Sequence, residues 1–175
     1  MLIQNPGAVY QVAYVVEDLS EALNNWLKQT PAGPFFLFEH FEFVNPVYRG
    51  EPATVDISIA LGFTGGLCIE LIQQHDDRPS VYQEEIERRG YGQHHIAVLE
   101  PDVEDRIRQY EDKGSPCLFR GAFSMGAEVA YIDTRATLGC MLELVEFNDV
   151  IRAVLEDMQQ AHTEWNGLDS VRVIS

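Results

Sequence analysis

Four polar residues, widely separated along the chain, stand in matching places within apolar stretches: Gln11, Glu70, His95 and Glu143. Glu70 lies inside Cys68-Ile69-Glu70-Leu71-Ile72 and Glu143 inside Met141-Leu142-Glu143-Leu144-Val145. Strand side chains alternate, so each Glu faces away from its apolar neighbours. If those neighbours pack beneath a helix, the carboxylates face the other side of the sheet. Should that side be the inside of a curved sheet, two carboxylates, one imidazole and one amide converge there. Ionised carboxylates are costly in such a place, and a divalent cation offsets that cost. Three oxygens and one nitrogen suit a borderline or hard ion, namely Zn, Ni, Co, Mn or Mg.

The elements that position these residues are written twice. Residues 9–26, VYQVAYVVEDLSEALNNW, match residues 93–110, QHHIAVLEPDVEDRIRQY, at a shift of 84 that sets Gln11 over His95 and Asp18 over Asp102. The Glu70 and Glu143 segments match at a shift of 73, in the same order, which points to a duplicated module. Each copy opens with a strand (Val9, Ala13, Val15 and Val16 in the first) followed by a helix. Asp18 and Asp102 are N-caps, and Glu21 stands where a capping-box carboxylate belongs. Leu19, Leu23 and Trp26, and then Val103, Ile107 and Tyr110, make apolar stripes. Gly114 stops the second helix. Three strands follow in each copy, at about 35–43, 53–62 and 66–73, then 116–122, 127–133 and 138–146, with Thr64-Gly65-Gly66 as a turn.

The expected fold is therefore α+β: two tandem βαβββ modules, 1–78 and 92–147, curving mixed sheets around a metal cleft. Residues 79–91 form a linking helix, and 148–175 a C-terminal amphipathic helix (Val150, Val154, Leu155, Met158) with a loose tail.

The 175 residues carry 12 Lys and Arg against 28 Asp and Glu, a formal net charge of −16, with Lys28 and Lys113 the only lysines. A field of that sign repels nucleic acid and anionic lipid. No apolar run approaches the length of a membrane-spanning helix, and residues 1–6 lack the pattern of a signal peptide. Cys68, Cys117 and Cys140 form no CxxC pair, which suits a reducing cytoplasm. His94 must point away from its neighbour His95 and is read as structural or surface. Phe35, Phe36, Phe38, Phe41 and Phe43 fit core packing, while their alternation with His40 and Glu42 also suits the mouth of an apolar pocket. Arg49, Arg120 and Arg135 are candidates for gripping a substrate carboxylate or phosphate.

The sequence resembles the vicinal oxygen chelate superfamily, which includes glyoxalase I, methylmalonyl-CoA epimerase, extradiol dioxygenases and the bleomycin- and fosfomycin-resistance proteins. The resemblance spans about residues 8–147 and rests on Gly92-Gln93-His94-His95-Ile96-Ala97-Val98, Gly66-Leu67-Cys68-Ile69-Glu70-Leu71 and Gly139-Cys140-Met141-Leu142-Glu143-Leu144. It implies Gln11, Glu70, His95 and Glu143 as ligands of one divalent metal ion, a set similar to that of eukaryotic glyoxalase I. Pro34-Phe35-Phe36 and the adjacent histidines are closer to the epimerase-like branch. It also implies Glu143 as catalytic base, with Glu70 as ligand or second base, a metal-stabilised enediolate, and a homodimer acting on a small molecule. Val15 occupies the position where glutathione-using members carry a basic residue, which disfavours lactoylglutathione. Gln11 stands where the iron dioxygenases have a histidine, which disfavours oxygenase chemistry. The expected function is a metal-dependent lyase or isomerase acting on an α-carbonyl or acyl substrate. The alternative is a metal-free drug-binding protein of the same fold.

Overall fold

A computed structural model describes residues 5–174; the start of the chain, on which the expected lack of a leader rests, and the final residue lie outside the described residues. The first half runs β1 (Val9–Val15), α1 (Leu19–Gln29), β2 (Phe35–Phe41), β3 (Val44–Tyr48), β4 (Glu51–Pro52), β5 (Ile57–Thr64) and β6 (Leu67–Gln74). Helix α2 (Val81–Arg89) leads to the second half: β7 (Gly92–Glu100), α3 (Val103–Glu111), β8 (Cys117–Ala122), β9 (Glu128–Ile132), α4 (Arg135–Leu138) and β10 (Met141–Glu146). Helix α5 (Asp149–Thr163) and β11 (Val171–Val173) close the chain.

The helix starts follow from local chemistry. Asp18 accepts from the Glu21 amide and Asp102 from the Asp105 amide, both at 2.8 Å, and Ser80 and Asn148 cap α2 and α5 in the same way. Leu19 and Leu23 of α1 pack on Ala60, Ile69 and Leu71, while Val103 and Ile107 of α3 pack on Ala130, Leu142 and Leu144. The apolar neighbours of Glu70 and Glu143 thus lie beneath the outer helices, and the glutamates face inward.

All strands join one sheet in the order β11-β2-β5-β6-β1-β7-β10-β9-β8-β3-β4. The halves meet where β1 and β7 run antiparallel, and each of these also lies parallel to the closing strand of its own half, β6 or β10. The connectivity forces curvature. Strands β2 and β3 stand eight places apart in this order, about 38 Å in a flat sheet. The three-residue step from Phe41 to Val44 reaches only about 11 Å. The sheet therefore bends back on itself, and the β3–β4 hairpin crosses to pair with β8 of the other half. The inside of the bend is lined by the main apolar cluster, which includes Ile57, Ile59, Phe119, Tyr131 and Val145.

Several elements differ from the sequence reading. The strand expected at 35–43 ends at Phe41, because the chain bulges at Glu39 and His40, with His40 at φ 48°, and then crosses the cleft. The strand expected at 53–62 starts only at Ile57, because Glu51–Pro52 pairs back on β3 as a hairpin. Residues 135–138 form a helical turn ended by Gly139 at φ 80°, so the last strand begins at Met141. The tail is not loose: β11 pairs with β2, an edge that would otherwise present unpaired backbone groups.

The β1–β7 pair contains two bulges, at Tyr10 and at His94. Their numbers differ by the repeat shift of 84, so each half carries the irregularity beside its first-strand polar residue. Each bulge spoils strict alternation and turns two successive side chains inward. His94 accordingly lies fully buried next to His95 and not on the opposite face.

Gly62 of β5 tests this packing. A Cβ there would lie 2.7 Å from the ring of Phe35, itself fully buried. Gly62→Ala is expected to lower the unfolding free energy by about 1–3 kcal/mol through overpacking, read as a reduced urea midpoint at unchanged slope.

Candidate active site

Strand β1 supplies Gln11, β6 Glu70, β7 His95 and β10 Glu143, the four central strands of the sheet. Their side chains meet at the floor of the bend, each at most 7% exposed. His95 Nε2 lies 3.2 Å from Oε2 of both Glu70 and Glu143. The Gln11 amide donates to the same two oxygens at 2.9 and 3.3 Å, and its nitrogen is 3.4 Å from His95 Nε2.

These spacings fit a shared cation. Ligands about 2.1 Å from a common ion lie about 3.0–3.4 Å from one another in octahedral or tetrahedral geometry. Charge fits as well. Burial raises the Glu70 pKa, an effect the hydrogen bond from His95 opposes and the nearby Glu143 reinforces. Burial alone would lower the His95 pKa, but the paired glutamates, Glu143 foremost, raise it to about 9. Two carboxylates and one imidazolium leave one negative charge, and exchanging the imidazole proton for a dication brings the floor to neutrality. For Gln11 to join as a ligand, its amide must turn to present the oxygen.

A relay sets the tautomer of His95. The Val81 carbonyl can only accept, so His94 Nε2, 3.0 Å away, is the donor. Burial, then the charge on His95, holds His94 neutral. Its Nδ1 is therefore an acceptor, and His95 Nδ1, 2.9 Å away, carries the proton. With Nδ1 holding its proton, Nε2 carries the one that donates to the glutamates and is the nitrogen that gives it up, baring a lone pair toward them, the arrangement that second-shell hydrogen bonds impose on metal-binding histidines. The bulge at His94 makes this possible, and strict alternation in the sequence gave no sign of it.

Above the floor opens a cleft of about 740 Å³, its mouth included. Its walls are apolar except for the floor and three tyrosines, Tyr10, Tyr82 and Tyr131. The Tyr82 and Tyr131 hydroxyls lie 3.0 Å apart. Burial, foremost, raises their pKa values well above the usual 10, so both stay protonated donors. Tyr131 is the cross-strand partner of Glu143. Helix α5 forms one wall through Ile151, Leu155 and Met158; its amphipathic pattern was legible, but not what its apolar face would cover. The aromatic run divides: Phe38, Phe41 and Phe43 line the cleft, and Phe35 packs under α1.

The three arginines considered as anion grips are held by acids. Arg135 is bonded to Asp133, Glu84 and Glu85, Arg49 to Glu84, and Arg120 to Glu104. Much of this network fixes α2, which supplies Val81 and Tyr82. His40, Asp56 and His75 form a second His/carboxylate group, but it is largely exposed at the rim of the sheet, where His40 Nδ1 and Asp56 already pair at 2.7 Å. Among the described residues no helix is long and apolar enough to cross a membrane.

The sequence model of the Glyoxalase/Bleomycin resistance protein/Dioxygenase superfamily matches residues 10–131, and the chain belongs to this superfamily. Its fold is similar to that of methylmalonyl-CoA epimerase from Mycobacterium tuberculosis, with a TM-score of 0.58 at 20% identity over 87% of this chain and 97% of that one. A hypothetical protein from Bacillus halodurans C-125 gives 0.57 at 20% identity, over 81% and 95%. Streptomyces coelicolor methylmalonyl-CoA epimerase, in complex with 2-nitronate-propionyl-CoA, gives 0.53 at 19% identity, over 83% and 98%. No curated protein matches the chain by sequence.

Two outcomes follow from the floor's chemistry. Because the His95 pKa is raised to about 9, ion binding at neutral pH must displace its proton. Affinity for Ni²⁺ or Co²⁺ is expected to climb about tenfold per pH unit below that value and to level off above it, as read by calorimetric titration across pH. His94→Phe keeps the ring but loses the relay, and should weaken Co²⁺ binding about 10–100-fold with the far-ultraviolet circular dichroism retained.

Proposed function

We propose that this protein is a metal-dependent lyase or isomerase of the glyoxalase family, epimerase-like, which moves a proton α to a carbonyl group. The observation that carries the reading is the convergence of Gln11, Glu70, His95 and Glu143, from four strands, on one buried point at the floor of an apolar cleft. A divalent ion held by these four residues (Zn, Ni, Co or Mn) supplies Lewis acidity toward negative charge developing on the carbonyl oxygen.

The contacts to Gln11 and His95 fall on Oε2 of each glutamate. In this reading Glu143 takes the α proton on its other oxygen as the C–H bond breaks, and returns it to the same or the neighbouring carbon. Glu70, on the opposite side of the floor, serves as ligand or as the second acid–base group. The Tyr131 hydroxyl, opposite Glu143, donates to the substrate oxygen. Phe41, Phe43 and α5 keep water from the reacting carbon.

We read the chain as two tandem modules, 1–78 and 92–147, linked by 79–91 and followed by 148–175; the matched bulges at Tyr10 and His94 support this division. We read it further as a cytoplasmic homodimer, to which the unpaired Cys68, Cys117 and Cys140 are suited. A metal-free binding protein is the second reading, favoured by the way Gln11 and His95 satisfy both glutamates by themselves. An iron dioxygenase is disfavoured, since the buried group holds one histidine and not two.

Elemental analysis of protein purified without added metal is expected to find about one divalent ion per chain; none would favour the binding protein. Solvent deuterium should enter the substrate at the α carbon. Glu143→Gln should reduce that exchange by about a thousandfold or more while leaving the melting temperature close to wild type. Undiminished exchange in this variant would remove Glu143 from the role of base.

A further inference from the structure

The walls of the cleft specify the kind of molecule it takes. Among the described residues no lysine, arginine or histidine lines it. One side is aromatic: Phe41 meets Phe43 and Phe123 edge-on, with ring centroids 5.1 and 5.9 Å apart. The other is aliphatic, from Ile151, Leu155 and Met158 of α5. The three arginines that the sequence offers as anion grips are already committed, and Arg78, outside the cleft in the depression bordered by Phe41 and Phe43, lies 3.5 Å from Asp76. Arg135 is bonded to Asp133 at 2.6 Å and to Glu84 at 2.8 Å, Arg49 to Glu84 at 2.8 Å, and Arg120 to Glu104. Lys28 ends the outer helix α1, and Lys113 lies over the Tyr110 ring beside the outer helix α3. The chain as a whole carries a net charge of −16.

A substrate with a phosphorylated or carboxylated handle would therefore enter a negative field, find no cation on the walls and lose hydration without replacement. An uncharged molecule with a bulky apolar tail meets none of these costs. It gains contact with aromatic and aliphatic surface, and keeps its polar oxygens for the floor and the tyrosine hydroxyls.

We propose that the substrate is an uncharged carbonyl compound bearing an aryl or branched alkyl tail, taken up free and not as a thioester of coenzyme A or glutathione; this inference rests on the proton-transfer reading of the same cleft. The juxtaposition that carries it is a floor of four convergent polar groups beneath walls that hold no positive charge. The tail lies between the Phe41, Phe43 and Phe123 rings and α5, with the carbonyl oxygen toward the Tyr131 hydroxyl and the α C–H bond toward Glu143.

The test compares two probes on the metal-loaded protein. Benzoin is neutral and carries vicinal oxygens, an α C–H bond and two aryl groups. Propionyl-CoA has an acidic α carbon on a phosphorylated handle. Calorimetry measures binding, and proton NMR in D2O measures loss of the α-proton signal above the buffer rate. Benzoin is expected to bind at least about tenfold tighter than propionyl-CoA, with an affinity nearly independent of salt, and to exchange its α proton.

Equal or tighter binding of propionyl-CoA, or no binding of benzoin, overturns the inference. Benzoin that binds without exchange supports the substrate class and counts against the proton-transfer reading. Exchange of propionyl-CoA alone does the reverse. Val154→Lys, which puts a cation on the α5 wall, supplies an independent check. It should weaken benzoin and strengthen propionyl-CoA, narrowing their ratio by about tenfold or more. An unchanged ratio in a folded variant would overturn the claim that missing wall charge sets the selection.

Discussion

Two glutamate carboxylates, Glu70 and Glu143, are held out of water within reach of each other and of a single imidazole. Buried charge left uncompensated costs several kcal/mol per group, so the surroundings of this pair have little freedom. Gln11 donates to both, and His95 lies between them with its pKa raised by their charge. The same neighbours that satisfy the glutamates in the bare protein are those whose donor atoms suit a cation. A floor that neutralises buried carboxylates in this way also offers the donor set that the proposed metal ion would need.

That arrangement has to be rigid to be useful, and its rigidity comes from outside the four residues. His95 is held by His94, and His94 by the carbonyl of Val81, the first residue of α2. Helix α2 is in turn fixed by the Glu84 and Glu85 carboxylates bound to Arg49 and Arg135. The segment between the halves thus does more than join them. It orients a ring nitrogen at the floor and contributes a tyrosine to the wall. Arg49 and Arg135 are engaged in this support, and among the described residues no lysine or arginine lines the cleft.

Curvature makes the floor into a cleft. The antiparallel β1–β7 pair lies at the centre of the sheet, and its two bulges add twist where the polar residues lie. The β3–β4 hairpin then carries the first half across to the edge of the second. Helix α5 covers part of the opening, so the inner surface is shielded without being filled. An apolar interior of this kind strengthens electrostatic interactions at its base, because little water is present to screen them.

Part of this was readable without coordinates. Alternation along a strand is a local property, so Ile69 and Leu71, or Leu142 and Leu144, were enough to send Glu70 and Glu143 to the other face. The repeat paired Gln11 with His95, and the caps at Asp18 and Asp102 marked where helices start, because capping needs only the neighbouring three residues. What the chain alone could not express was anything that depends on how distant segments pair. The inward turn of His94 depends on its register with β1, and the tail became β11 only because β2 offered an open edge. Apolar spacing marked one face of α5 for burial, yet only the bent sheet decided that this face would wall a cleft. That arginines in so acidic a chain would neutralise neighbours was open to the sequence, but only folding set Glu84, Glu85 and Glu104 beside them. Periodicity says which side of an element is buried; the tertiary arrangement decides against what, since that contact energy belongs to two segments at once.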